Sequence, residues 1–404
     1  MTPIGGQRQR CLGRWAAVAV LLTLVLPACS SSSHRSGQRA SSTTGATSSP
    51  STAGAPKALV AALPAGCDGA APAAGAVVAF VAGGRSWVVS PDDPATLHCL
   101  FPTPDAGLFS FGPLGDRVAL PGLEVRGVGS TVSRPKADLH PVYYSWSRPT
   151  GTTVVFTDGP RHRLARADLG GAGTRDITPL PGLTYGDIAY HPSGLAIGFA
   201  VTTPDGAEIW MSTNQGQNPQ RLVSAPAGTT FGHLVFAHDG TDLYYTVDRT
   251  DGSHALARYN LPSGDVAPSL WTGSDRVDDI VELAGAPGVA LTVGAGCVAH
   301  RALFSPLDGS PGLPLSTGSG APTSIVGRLD RDRFLVATGP CGGPSDLYIV
   351  HAAPAPPGGN PAAAPATPSA PALLVPGVDA ATLRQPEPTP PPPLPTNLPR
   401  SAVA

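Results

Sequence analysis

Three of the ten histidines, His162, His254 and His300, recur at one spacing and are the first residues to invite a chemical reading. Imidazoles bind metals or carry protons, but a shared metal site needs ligands close together on one strand or turn. No two of these are, so they are expected to be turn or surface histidines held by local hydrogen bonds. A second set, Tyr143, Trp146, Tyr185, Asp187, His233, Asp278 and Asp279, borders the first strand of successive units. Acid–base catalysis would need such groups to converge at one point, whereas tyrosines and aspartates there also serve packing and turns. Acidic turns at Asp239 to Asp242, Asp248 to Gly252, Asp275 to Asp279 and Asp330 to Asp332 offer oxygen ligands of the kind calcium takes. Asp-Gly is equally what a tight turn needs on backbone grounds. The chain has no Gly-x-Ser-x-Gly elbow and no glycine-rich loop ending in Lys-Ser/Thr. The sequence therefore assigns no catalytic residue, no metal site and no cofactor.

What positions these residues is a repeat. Tyr190-His191-Pro192-Ser193-Gly194 is answered by Phe236-Ala237-His238-Asp239-Gly240, and Thr203-Pro204-Asp205-Gly206 by Arg249-Thr250-Asp251-Gly252. Both pairs of glycines lie 46 residues apart (240 − 194 and 252 − 206). Each unit reads as four short strands with a hairpin at Asp-Gly. From His162 the same step reaches Glu208, His254, His300 and Asp346, each opening an apolar third strand. A four-stranded repeat of this length reads as a propeller blade. Hairpin connections make each sheet antiparallel, and stacking the sheets around a ring buries both faces and protects the edges.

The expected fold class is thus all-β, a β-propeller of four-stranded antiparallel blades. Units near 77–101, 108–140, 142–180, 185–223, 231–271, 277–316 and 322–377 give seven; six result if the irregular early segments combine. In the last unit Leu373-Leu374-Val375 is expected as the fourth strand, with the segment around Ala58 to Ala62 as the partner that closes the ring. The propeller is placed at 58–377, with a Pro/Ala-rich insertion at 354–371. Residues 378–404 are expected to be a disordered tail, because residues 354–404 hold 16 of the 47 prolines and the Pro390 to Pro393 run cannot enter a sheet.

Ahead of the propeller, Arg8, Arg10 and Arg14 precede an uncharged apolar run from Trp15 to Leu26, too short to span a bilayer and suited to a signal peptide over 1–28. Leu26-Pro27-Ala28-Cys29 resembles the lipobox of bacterial lipoproteins, which implies that Cys29 is lipidated and becomes the new N-terminus. Pro27 departs from the usual small or β-branched residue there. Residues 29–57 are Ser/Thr-rich, lack large apolar side chains and read as a flexible tether. With Cys11 lost and Cys29 lipidated, Cys67, Cys99, Cys297 and Cys341 remain. An even number in an exported chain implies disulfides, with three connectivities open. Cys67–Cys99 and Cys297–Cys341 are the expected pairs, the latter because both cysteines precede third strands of adjacent units.

The aromatic-x-x-x-Gly landmark before an apolar strand, at Tyr190 to Gly194, Phe236 to Gly240 and more loosely Trp146 to Gly151, resembles the repeat of TolB-type β-propellers. With the lipobox and the Ala/Gly/Pro bias, the whole is similar to the propeller lipoproteins of high-GC Gram-positive bacteria. That resemblance implies a binding platform and names no ligand. Charged residues are 13% of the chain and the net charge is −2, so no field is available to hold nucleic acid. The expected function is a non-catalytic binding or scaffold protein, lipid-anchored on the extracytoplasmic face of the cell membrane, with an envelope protein, peptide or glycan as partner. The alternative is a propeller hydrolase or lyase with its site in the central channel.

Overall fold

The computed structural model describes residues 57–67, 77–102, 110–113, 117–119, 124–127, 132–133, 140–148, 150–169, 173–282, 288–307, 312–330, 332–352, 370–384, 392–394 and 402–403. The expected signal peptide, the lipidation site Cys29, nearly all of the tether and almost all of the 354–371 insertion fall outside these residues.

The chain is all-β. Blade 1 combines Ala380–Leu383, Val78–Ala82, Arg85–Ser90 and Asp93–Pro102, in that order from the inside outward. Blade 3 runs Pro141–Trp146, Thr153–Asp158, Arg163–Asp168 and Gly173–Asp176. Blade 4 is Thr184–Tyr190, Ala196–Thr203, Gly206–Thr213 and Gln220–Pro226, and blade 5 is Thr229–Phe236, Asp242–Arg249, His254–Asn260 and Val266–Gly273. Blade 6 is Arg276–Glu282, Gly288–Gly294, Arg301–Pro306 and Leu313–Pro314, and blade 7 is Thr323–Arg328, Arg333–Thr338, Ser345–His351 and Ala372–Val378. All pairings among these four strands of each blade are antiparallel.

The unit at 108–140 is different. Its strands, Ser110–Phe111, Arg117–Ala119, Val125–Gly127 and Val132–Ser133, have only two or three residues each, so it is a reduced sheet, here called sheet 2. The expectation of seven blades is corrected: six are complete, and the remaining unit is rudimentary. Gly112 and Pro113 directly follow Ser110–Phe111, and neither residue type favours continuing a strand.

The third strands keep the expected step. Arg163–Asp168, Gly206–Thr213, His254–Asn260, Arg301–Pro306 and Ser345–His351 each begin within two residues of the position the repeat marks. Ring closure departs from expectation. Leu373 to Val375 do form the outer strand of blade 7, pairing with Leu347 to Ile349, and the segment at 58–62 does touch it, through Leu59 N and Val60 N donating to Leu373 O and Leu374 O at 2.9 Å each. Yet the missing inner strand comes from beyond residue 377: Val78, Ala79, Phe80 and Val81 pair with Leu383, Thr382, Ala381 and Ala380. The tail boundary at 378 is therefore also corrected. Ala380, Ala381, Thr382 and Leu383 are all buried, and a four-residue strand this short and alanine-rich carries little pattern of its own. Further along, Ala402–Val403 pairs in parallel with Val223 and Ser224 on the outer edge of blade 4.

The core lies between blades. One apolar cluster joins blades 4 and 5 through Ile209, Met211, Leu222, Phe231, Leu243 and Tyr245. Equivalent clusters join blades 5 and 6, 6 and 7, and 7 and 1. Sheet 2 is held at both sides, by Phe111 against Val81, Val88 and Leu100 of blade 1 and by Ala119 and Val125 against Trp146 and Phe156 of blade 3. Trp146 Nε1 donates to Ser110 Oγ at 2.8 Å across the second of these joints.

The inner strands share a distortion. Register shifts occur at Pro141/Tyr143, Tyr185/Ile188, Gly232/Val235, Val277/Asp279 and Ile325/Gly327. An extra residue in the inner strand re-aims side chains there, which places Asp187, His233 and Asp278 at equivalent bulges of blades 4, 5 and 6.

Candidate functional site

Antiparallel alternation puts the hairpins between second and third strands at the same end of the ring as the starts of the inner strands. On blades 5 to 7 that end carries a chain of ionic and hydrogen-bonded side chains. His254 Nδ1 lies 2.7 Å from Asp248 Oδ1, and the two are directly paired across their hairpin. Arg276 Nε stands 3.4 Å from Asp248 Oδ2 and 3.5 Å from Asp278 Oδ1, ion-pair contacts that bridge blades 5 and 6. His300 Nε2 lies 2.7 Å from Asp278 Oδ2, and its Nδ1 lies 3.2 Å from Ser324 Oγ on blade 7. The His300 carbonyl accepts Thr323 N–H at 2.9 Å. Arg301 also pairs with Asp275 on this face.

Two disulfides brace the ring, and both expected pairings are present. Cys297–Cys341, with 5.5 Å between Cα atoms, ties the second-to-third-strand turns of blades 6 and 7 on the same face. Cys67–Cys99, at 4.9 Å, ties the N-terminal segment to the outer strand of blade 1. Val298, in the short 3-10 turn Cys297–Ala299 beside the first bridge, is 74% exposed.

The sequence candidates separate cleanly by role. Asp187 is buried and accepts Ile188 N–H at 2.8 Å and Leu234 N–H at 2.9 Å, so its carboxylate links the inner strands of blades 4 and 5. Asp279 accepts the N–H of its neighbour Ile280 at 3.0 Å. Tyr185 is buried and exchanges hydrogen bonds with the Leu180 backbone at 2.8 Å; burial pushes its phenol up to about 12. Tyr143 packs half-buried beside it, and Trp146 serves the joint with sheet 2. His233 is buried with a left-handed backbone, φ 46°, at its bulge. His162 is an exposed turn residue. These side chains are spread around the ring and do not converge; only Asp278 joins His300.

The acidic turns are used by their own backbones. Asp239 Oδ1 accepts Thr241 N–H and Oγ1–H at 2.9 and 2.7 Å, Asp251 accepts Ser253 N–H at 2.8 Å, and Asp330 accepts Asp332 and Arg333 N–H at 3.1 and 3.0 Å. Among the described residues no cluster of three or more His, Cys, Asp or Glu is placed to hold a metal.

Sequence reasoning missed Arg276, Ser324 and a cleft on this face between blades 4 and 5. The cleft has a volume of about 270 Å³ and lies between the Ala225 to Thr229 connection and the Arg249 to Asp251 hairpin. Its inner wall includes Tyr245, fully buried, whose hydroxyl has no hydrogen-bond partner among the described residues. The one sequence signal available was the Asp248/His254 pair flanking an Asp-Gly turn, a cross-strand spacing that predicts contact.

No protein-family model matches the chain, and no curated protein matches it. Solved structures do. The chain is similar to the tricorn protease, with a TM-score of 0.51, 11% identity, and 69% of this chain and 32% of that one covered. It is also similar to TolB from Acinetobacter baumannii, at 0.40, 16%, 68% and 61%, and to an oligogalacturonate lyase in complex with manganese, at 0.46, 13%, 66% and 82%. The chain spans about a third of the tricorn protease and three-fifths of TolB. The fold is a β-propeller. One fold can carry unrelated functions, so architecture alone selects neither binding nor catalysis.

Proposed function

We propose that this chain is a non-catalytic binding platform, anchored through lipidated Cys29 on the extracytoplasmic face of the cell membrane, that presents the hairpin face of blades 5 to 7 to an envelope protein, peptide or glycan. The observation that carries the reading is the bracing of that face. Three blades are cross-tied by the His254–Asp248–Arg276–Asp278–His300–Ser324 chain and by Cys297–Cys341. A rigid surface loses less conformational entropy on binding, which favours recognition without rearrangement. Two structural disulfides suit an oxidising, extracytoplasmic setting.

The test is mild cross-linking in intact cells followed by recovery of the anchored protein, beside a form ending at residue 384. A defined envelope component recovered with both forms supports the platform. Recovery that depends on the removed segment assigns binding to the proline-rich tail instead. Cys29→Ala should release the protein from the membrane fraction, and retention there would overturn the anchor.

One observation favours the enzymatic alternative. Asp278, His300 and Ser324 form a continuous carboxylate–imidazole–hydroxyl relay, the arrangement by which a histidine can take a proton from a serine. The same atoms also staple blade 6 to blade 7, and that structural use explains them without chemistry. Covalent labelling of Ser324 by a fluorophosphonate, lost in Ser324→Ala and His300→Gln, would establish the catalytic reading; an unlabelled protein retires it.

A further inference from the structure

The cleft between blades 4 and 5 has no part in the ionic chain described above. We propose that it is a binding site for a single neutral sugar ring, such as a terminal residue of an envelope glycan. The proposal deepens the glycan branch of the platform reading and rests on it only for the use of this face in recognition.

Size is the first argument. A volume of about 270 Å³ falls just under the roughly 300–1,000 Å³ of sites for drug-sized ligands, which suits one small ring. Chemistry is the second. Ala225, Pro226, Val247 and Pro268 give apolar walls against which the C–H face of a pyranose can lie. Thr229, Thr250 and Tyr245 supply hydroxyls that both donate and accept, as sugar hydroxyls require. Arg249 and Asp251 stand exposed at the mouth with opposite charges, so the site has no net preference for an ion and two groups that can each grip a pair of hydroxyls.

The third argument is the Tyr245 hydroxyl. Its ring is fixed edge-on against Phe231, with centroids 5.3 Å apart at 84°. The residue is fully buried, burial pushes its phenol up so that it stays neutral, and its hydroxyl is unpaired. Buried hydroxyls in native proteins nearly always have a partner, and an exception beside a cleft points to one that arrives from outside. Tyr245 lines the cleft together with Thr229, Val247 and Ala257.

The experiment uses the full chain with its disulfides intact. Thermal melts and ligand-observed NMR are run with glucose, mannose, galactose, arabinose and N-acetylglucosamine, and with free alanine and glycine as zwitterionic controls. At least one sugar should raise the Tm in a concentration-dependent way. Tyr245→Phe, which keeps the ring and removes the hydroxyl, should weaken that binding about fivefold or more, while its Tm without sugar equals or exceeds the parent's. Thr229→Val should weaken binding as well. No sugar binding at tens of millimolar, equal binding by the parent and Tyr245→Phe, or binding of the amino acids alone would each overturn the site. A cross-linked envelope protein recovered while no sugar binds removes the sugar site and leaves the platform standing.

Discussion

His191 Nε2 lies 3.0 Å from the carbonyl oxygen of Gly240. These residues belong to the two copies of one turn, His191 to Gly194 in blade 4 and Ala237 to Gly240 in blade 5, so the repeat is stitched to itself. Ser193 N–H points at His191 Nδ1 from 3.1 Å, which makes Nδ1 the acceptor and Nε2–H the donor to Gly240. The ring is fully buried and stands edge-on to Phe236, with centroids 5.1 Å apart. Gly194 and Gly240 share φ 72°, a left-handed value that favours glycine.

That clasp sets a pH dependence. Burial, the largest cause, lowers the pKa of His191, and the Gly240 carbonyl and Asp239 only partly oppose it; His238 is lowered too, again first by burial. The unfolded chain takes up these protons near pH 6.5 while the folded one does not. Stability is therefore full above that pH and falls as the solution is acidified below it. His191→Asn should cost about 1–3 kcal/mol at neutral pH and show a smaller Tm loss between pH 7.5 and 5.5. Melts of parent and variant at both values check this.

Ring closure predicts an abrupt dependence on chain length. A form ending at Leu383 or Arg384 keeps the inner strand of blade 1, whereas one ending at Gly377 exposes the edge of Val78–Ala82. The shorter form should lose more than about 4 kcal/mol or fail to fold, and the longer should melt near the parent. Circular dichroism melts of the two truncations measure the difference.

The repeat-equivalent glycines Gly206 and Gly252 should respond differently to alanine. A Cβ on Gly206, at φ 150°, would meet the Ala225 carbonyl oxygen at 2.0 Å, while one on Gly252, at φ 80°, would meet nothing within 4 Å. Gly252→Ala should cost roughly 1–2 kcal/mol for the left-handed backbone alone, and Gly206→Ala more than about 3 kcal/mol, because strands of blade 4 must move. Urea titrations of both variants give the comparison.

Cys297–Cys341 closes a loop with a sequence separation of 44. Replacing both cysteines by serine should destabilise the chain by about 2–4 kcal/mol and loosen the face of blades 6 and 7. Hydrogen exchange should rise first at the Cys297–Ala299 turn and at Gly342.

Much of this was legible in the chain. Hairpin glycines and the apolar third strands repeat because each blade meets the same steric demand, so Gly194/Gly240 and the step from His162 to Asp346 reveal both period and strand order. The disulfide between blades 6 and 7 followed from that register. What the sequence hid depends on contacts between units. Ala380–Leu383 becomes a strand only because Val78–Ala82 leaves an edge for it. Sheet 2 carries the right composition at too short a span. Arg276 and Ser324 acquire meaning only when blades 5, 6 and 7 meet, and Tyr245 reads as an ordinary core aromatic until the cleft beside it is seen.

Recognition by the braced hairpin face can be read out by site-specific photo-cross-linking in living cells. A photoreactive residue is placed at Gly252, Val298 or Gly342 on that face, and at Leu195 or Ser263 on the opposite one. Adducts to one envelope component are expected from the first three positions and none from the last two, with the adducts weakened when Arg276→Ala and Cys297→Ser/Cys341→Ser loosen the bracing. Adducts formed equally from both faces, or only from Leu195 and Ser263, would contradict it.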